Sequence, residues 1–323
     1  MELFEMTAAS LSEKLRSREC SAVEITRSVL EQIGKTEERI GSFVTVCEEQ
    51  ALAKAEEVDR KIAAGEELSP LAGIPVGVKD NICTKGLKTT CASKMLEGFV
   101  PPYDAYVIEK IKANDMVITG KVNMDEFAMG SSCENSYYKK TKNPHDTTRV
   151  PGGSSGGSAA AVSAGQAILP LGSDTGGSIR QPASYCSVIG LKPTYGSVSR
   201  YGLVAFASSL DQIGPIGRTV NDVAMLYQAI CGYDQKDATS ADINYPDFCA
   251  DLSGNIKGMT VGVPKEYFGK GISDEVKESV MSAVSEFEKA GAKIIEVSLP
   301  STDYALSAYY IISSAEASSN LAR

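Results

Sequence analysis

Histidine is almost missing from this chain, which has one, His145, among 323 residues. With cysteine present only as the scattered Cys20, Cys47, Cys83, Cys91, Cys133, Cys186, Cys231 and Cys249, without any Cys-x-x-Cys spacing, no usual zinc constellation is available and no metal site is expected. A chain this long does not need disulfide staples, so the cysteines read as reduced thiols of a cytoplasmic protein. No run approaches the ~18 apolar residues of a membrane span, and the start, Met-Glu-Leu-Phe-Glu-Met, lacks the charged-then-apolar pattern of a signal peptide. A basic surplus is missing too: 32 Lys and Arg stand against 41 Asp and Glu, a formal net charge of −9. Phosphate neutralisation needs clustered cations, so this chain is not expected to grip nucleic acid with its own surface. If RNA is involved, another chain holds it.

What is present is enough apolar material, 43% of residues, to bury a large core. Residues 1–70 read as helices. Ser10 with Glu13, and Ser21 with Glu24, each match a capping box, and Ile25, Val29 and Ile33 recur on one face. A third helical stretch, Glu49 to Ala64, stops at Gly65. From Leu71 the pattern becomes short β-branched runs alternating with helices: strands at Ile74–Val78, Met116–Thr119, Ile168–Leu171, Met259–Val263 and Ile294–Val297, with helices at Asp104–Ala113, Ser158–Gly165 and Asp274–Ala290. This alternation predicts an α/β protein with a central sheet covered on both faces. No linker breaks it, so residues 1–323 are read as one domain. The polar stretch from Asp234 to Gly254 reads as a surface excursion. Tyr304–Arg323 reads as a helix without a stop signal, so the chain is expected either to fray there or to be part of a longer protein.

Two glycine-serine loops stand out, Val150-Pro-Gly-Gly-Ser-Ser-Gly-Gly-Ser158 and Gly172-Ser-Asp-Thr-Gly-Gly-Ser-Ile-Arg180. Glycine runs let the backbone approach a ligand closely and aim N–H groups into a cavity. Neither loop carries the lysine of a phosphate-binding P-loop, and neither matches a dinucleotide fingerprint. Gly152-Gly-Ser154-Ser-Gly156 matches G-x-S-x-G literally, but an α/β-hydrolase needs its histidine after the serine, and His145 comes before. The order His145, Asp174, Ser178 is not forbidden by order alone, although a polar histidine beside Asn143-Pro144 is more simply a surface residue. What remains is serine activated by lysine. Lys79 ends the apolar run Gly73-Ile-Pro-Val-Gly-Val-Lys79, where burial can lower an ammonium pKa and make a base. The competing account is a lysine snorkelling out of the strand end.

Lys79, Ser154 and Ser178 in these contexts resemble the amidase signature family, an α/β/α sandwich with a central mixed sheet that carries a Ser-cisSer-Lys triad. The stretches Val122-Asn-Met-Asp-Glu-Phe-Ala-Met-Gly-Ser-Ser132 and Tyr201-Gly-Leu-Val-Ala-Phe-Ala-Ser-Ser-Leu-Asp-Gln-Ile-Gly-Pro215 narrow the resemblance to its glutaminase branch, the subunits that feed ammonia to tRNA-dependent amidotransferases. The resemblance implies that Ser178 attacks the glutamine amide, that Ser154 on a cis peptide relays the proton and that Lys79 receives it. By the same resemblance the N–H groups of Thr175, Gly176, Gly177 and Ser178 are expected to form the oxyanion hole. Asp174 is a candidate for binding substrate, but lies close enough along the loop to pair with Arg180 and stiffen it. Ser155 is expected to support its loop, with plain backbone capping as the alternative. Tyr309 matches a residue lining the glutamine pocket, with core packing as its rival. The resemblance further implies a heterotrimer with B and C subunits. The B subunit holds the tRNA and uses ATP and magnesium to convert Glu-tRNA(Gln) to Gln-tRNA(Gln), so no cofactor falls to this chain. His145 stands where relatives commonly carry tryptophan. Relatives continue beyond Arg323, and groups that grip the glutamine backbone lie in that continuation.

Overall fold

The protein is described by a computed structural model covering residues 2–250, 252, 254–269 and 271–322. It divides into two compact units, Met1–Cys249 with Glu316–Arg323, and Ala250–Ala315.

The first unit opens with α1 (Ala8–Arg16), α2 (Ala22–Ile40), β1 (Phe43–Val46) and α3 (Glu48–Ala64). Ser21 and Glu24 form the expected reciprocal box at the head of α2. Ser10 does not cap a helix: Thr7 does, accepting from Ser10 N at 3.1 Å, and α1 begins two residues ahead of Ser10. Sequence spacing alone could not choose between two hydroxyls three residues apart. Ile25, Val29 and Ile33 are buried together, and α3 stops at a left-handed Gly65 with φ 77°.

The chain then runs through β2 (Pro75–Lys79), α4 (Tyr106–Ala113), β3 (Val117–Val122), α5 (Gly156–Ser163), β4 (Leu171–Asp174), α6 (Arg180–Tyr185), β5 (Ile189–Gly190), β6 (Gln212–Gly217) and α7 (Val220–Ile230). Six strands form one mixed sheet in the order β1-β3-β2-β4-β6-β5, flanked by helices. The three inner strands β3, β2 and β4 run parallel, and antiparallel pairing adds β1 at one side and β6 and β5 at the other. All five residues of β2 are buried, which is why it reads as an unbroken apolar run rather than an alternating one. The expected strand at Ile168–Leu171 begins only where that run ends. Pro170 inside the run has no N–H to give to a ladder.

This topology sets the site. β2 and β4 are parallel neighbours with Val78 opposite Leu171, so the C-terminal ends of both strands open on the same side, where the first glycine-serine loop also lies. α5, which follows that loop, is buried on every face. It packs on backbone directly: a Cβ at Gly157 would lie 2.5 Å from Asn123 N and 2.7 Å from Ser42 O. No larger residue fits there.

In the second unit, β7 (Thr260–Pro264), α8 (Asp274–Lys289) and β8 (Lys293–Val297) form a parallel βαβ unit. α9 (Thr302–Asn320) follows, its last residues belonging to the first unit. The sequence pattern reads β7 and β8 as further strands of the central sheet. Among the described residues they pair only with each other, because a right-sized helix between two β-branched runs closes a local ladder as readily as it extends a distant one. The stretch after Asp234 is better anchored than a free excursion: Asp234 accepts from the Ser199 hydroxyl at 2.6 Å, Asp237 accepts from Arg200 N at 2.8 Å, and Ala241 N donates to Gly196 O at 2.8 Å. Residues 251 and 253 of that stretch, and Arg323 of the expected last helix, lie outside the described residues.

Candidate active site

Lys79 does not snorkel. Its side chain is fully buried, and Nζ lies 2.7 Å from Ser154 Oγ, 2.9 Å from Ser155 Oγ, 2.9 Å from Ser173 Oγ and 3.3 Å from Ser173 O. No carboxylate is among these partners. An ammonium enclosed this way loses most of its hydration and recovers only hydroxyl and carbonyl dipoles. Burial accordingly pulls the Lys79 pKa from its ordinary 10.5 down to about 8, against the opposing pull of the more distant carboxyl groups of Asp125, Asp174 and Asp211. At neutral pH roughly a tenth of the side chain is then an uncharged amine.

Ser154 follows a cis peptide, Gly153-Ser154, as the resemblance implied. Its loop is held flat against a neighbouring one. A side chain on Gly153 would collide with Asp125 and lie 2.9 Å from Ser132 N. Asp125 is buried, accepts from Cys133 N at 3.0 Å, and donates its own N–H to Ser154 O at 3.2 Å.

Ser178 sits in the loop from β4 to α6, 8% exposed. Ser155 N donates to its carbonyl at 3.0 Å, so the two glycine-serine loops are joined by backbone beside the triad positions. Among the described residues no hydrogen bond links the Ser178 and Ser154 hydroxyls. Asp174 organises this second loop. Its Oδ1 accepts from Gly177 N at 2.8 Å and from the Arg180 guanidinium at 3.0 Å, while Oδ2 accepts from Ile179 N at 3.0 Å and Arg180 Nε at 3.1 Å. Burial works to raise the Asp174 pKa, but the Arg180 side chain and these amides outweigh it and hold the carboxyl below its ordinary value.

Two expectations change here. Asp174 is fully buried with both oxygens engaged inside its own loop, so it stiffens the loop with Arg180 and has no oxygen left for a substrate. The Gly177 N–H is likewise committed to Asp174, which removes it from the candidate oxyanion donors; Thr175, Gly176 and Ser178 remain. The Thr175 hydroxyl donates to Asp211 at 2.5 Å, tying this loop to the one before β6. Ser155 does more than cap: its hydroxyl touches Lys79 as well as Ser173. His145 is exposed, its Nε2 3.1 Å from Cys186 O and from Ser163 Oγ, and Asp174 pairs with Arg180 instead. The histidine triad is therefore ruled out. Tyr309 lies on α9 within the second unit, its ring 5.5 Å from that of Tyr310.

Sequence reading missed Asn81, Ser173, Asp125 and Asp211. Asn81 was accessible in principle, since it lies only two residues beyond the strand-end lysine. The other three come from separate loops and strands, and only folding assembles them.

The sequence profile described as Amidase matches residues 24–323. The chain belongs to the amidase family. It is 58% identical over all 323 residues to the A subunit of glutamyl-tRNA(Gln) amidotransferase from Desulforamulus reducens, and 59% identical to that from Desulforudis audaxviator, covering 67% and 66% of those proteins. The chain thus spans about two thirds of the length of the relatives it matches. Among solved structures, the A subunit of the Thermotoga maritima enzyme superposes with a TM-score of 0.88 at 44% identity, covering 99% of this chain and 67% of that one. The peptide amidase of Stenotrophomonas maltophilia gives 0.90 at 31% identity, covering 98% and 66%. The mixed sheet flanked by helices is the fold these amidase-family neighbours share.

Proposed function

We propose that this amidase-family chain hydrolyses the side-chain amide of glutamine and supplies the ammonia to a tRNA-dependent amidotransferase. The observation that carries the chemistry is the buried, carboxylate-free Lys79 with its nitrogen 2.7 Å from the Ser154 hydroxyl. The identity near 58% to the A subunits of glutamyl-tRNA(Gln) amidotransferases supports the substrate and the setting.

In this scheme neutral Lys79 takes the proton of Ser154 Oγ as Ser154 takes that of Ser178 Oγ, and Ser178 Oγ bonds to the amide carbon. The hydrogen bond between the two serines forms as the amide docks, since catalytic contacts often tighten only with substrate bound. The carbonyl oxygen, now negative, is received by backbone N–H groups from Thr175, Gly176 and Ser178; losing one such donor typically costs ~2.7–4 kcal/mol of barrier. The C–N bond breaks as the Lys79 ammonium returns its proton through Ser154 to the departing nitrogen, releasing ammonia. A water molecule, activated by the same pair, then splits the γ-glutamyl ester to glutamate and free Ser178.

The wider setting is a cytoplasmic heterotrimer in which a B subunit holds the tRNA and uses ATP and magnesium to convert Glu-tRNA(Gln) to Gln-tRNA(Gln), and a C subunit braces the complex. No cofactor is assigned to this chain. The test is ammonia release from glutamine, alone and with partner subunits added, together with mass-spectrometric labelling by a glutamine-like electrophile. Partner-stimulated release and a single adduct on Ser178 are expected. Release from simple amides without partners, and none from glutamine, would replace this reading with that of a free-standing amidase. A folded chain that is neither labelled nor active would make it a scaffold.

A further inference from the structure

The environment of Lys79 contains more hydroxyls than a three-residue relay uses, and counting their protons assigns a direction to its contacts with Ser155 Oγ and the Ser173 carbonyl. Ser155 Oγ donates its only proton to Ser173 O at 3.0 Å and accepts from Ser173 N at 3.2 Å. A hydroxyl has one proton and two acceptor sites, so the remaining contact, to Lys79 at 2.9 Å, can only be one in which Lys79 donates. On the other side Ser173 offers its carbonyl, which only accepts, at 3.3 Å, and its Oγ at 2.9 Å. One acceptor site of that Oγ is already filled by Asn81 Nδ2 at 3.0 Å. The Ser155 contact and the Ser173 carbonyl therefore each draw an N–H from the amine, and the Ser173 Oγ held by Asn81 stands beside the second. A neutral amine has two, and the position left for its lone pair faces Ser154.

We propose that Ser173 and Asn81, acting with Ser155, are positioning residues that hold two Lys79 N–H groups away from Ser154, so that the lone pair formed on deprotonation faces the relay serine. The idea rests on Lys79 being the base. Asn81 is 2% exposed, Ser173 is 3% exposed, and Asn81 Oδ1 is a buried oxygen without a hydrogen-bond partner. That amide is held in place at the cost of one unsatisfied atom, a cost that a solely structural asparagine on this strand end does not explain.

The test compares Ser173→Ala, Asn81→Asp and Lys79→Met in the full chain with its partner subunits, reading kcat and KM for glutamine across pH, with thermal melts to show that each variant is folded. Ser173→Ala removes an acceptor from the ammonium and frees the amine to turn. The plateau kcat is expected to fall about 10- to 100-fold, part of what a general base supplies, with KM unchanged and the acid limb moved to lower pH. Asn81→Asp keeps the shape and adds a negative charge beside Ser173. It should move the limb to higher pH, the sense in which Asp125, Asp174 and Asp211 already push. A loss confined to melting temperature or KM, or limbs that do not move in opposite senses, overturns the inference. Activity surviving Lys79→Met would overturn the base assignment itself. A dead Lys79→Met with Ser173→Ala unchanged would sink the positioning role alone.

Discussion

Among the described residues two lysines are completely buried, on neighbouring strands, and they are kept in opposite ways. Lys121 on β3 has a counter-ion, Asp80, with 3.8 Å between Nζ and Oδ1, and donates to Ile82 O at 2.6 Å and Thr89 Oγ1 at 2.9 Å. Asp80 in turn accepts from Thr90 N and Ala92 N, so the pair bolts the segment after β2 to β3. Lys79 at the end of β2 has no carboxylate in contact and is surrounded by serines. For both, burial lowers the pKa. The difference lies in what would be left behind if the proton departed. Around Lys121 a buried carboxylate would lose its partner, whereas around Lys79 every neighbour is a neutral group that either donates or accepts. Lys121 has a buried carboxylate to answer its charge, and Lys79 has only hydroxyls and a carbonyl.

The sharpest way to break this contrast is to remove each ammonium in turn. Lys79→Met should reduce glutamine hydrolysis about 10⁴-fold or more, as removal of one member of a catalytic unit does, while a urea melt at neutral pH shows no loss of stability. Lys121→Met should do the reverse: it strands Asp80 and is expected to cost about 3–5 kcal/mol of stability, with kcat per folded molecule nearly intact. The double variant Asp80→Asn/Lys121→Met should recover part of that loss. A Lys121→Met protein as stable as the parent would show that the pair is not what fastens the strand end.

A smaller effect sharpens the same comparison through pH. With Lys79 near 8, kcat/KM should drop about tenfold per pH unit below that value and level off above it; a flat profile down to pH 6 would remove the lysine base. Stability carries the matching sign. The folded pKa lies below the ordinary 10.5, so the unfolded chain binds more protons between pH 8 and 10.5 and stability rises with pH across that window, by about 3 kcal/mol in all. Subtracting the Lys79→Met curve from the parent curve isolates this share. The smallest effect is expected at His145. Exposed, with its ring bonded to Cys186 O and Ser163 Oγ, it should tolerate alanine with unchanged turnover and a melt within about 0.5 kcal/mol.

Much of the site could be read in advance because the chemistry sits in local motifs. The strand-end lysine, the two glycine-serine loops and the pairing of Asp174 with Arg180 are each contained in fewer than ten consecutive residues. The readings that changed depended on contacts from elsewhere. Asp174 was a candidate for binding substrate until its loop folded back and filled both oxygens. Gly177 counted as an oxyanion donor until its N–H turned to Asp174. Strands β7 and β8 carry the same β-branched pattern as the central ones, and nothing local to them says which ladder they join.

By itself the sequence left serine activated by lysine, with no second histidine, no metal set and no P-loop lysine, and the resemblance of its motifs to the amidase signature family implied an amide as the substrate. Tertiary structure alone decided that Lys79 is buried among hydroxyls rather than a solvent-seeking strand end. A lysine's pKa depends on what replaces its water, and here the replacements, Ser154, Ser155 and Ser173, lie 75 to 94 residues further along the chain. Hydration is lost and hydroxyls are gained only when the parallel ends of β2 and β4 come together.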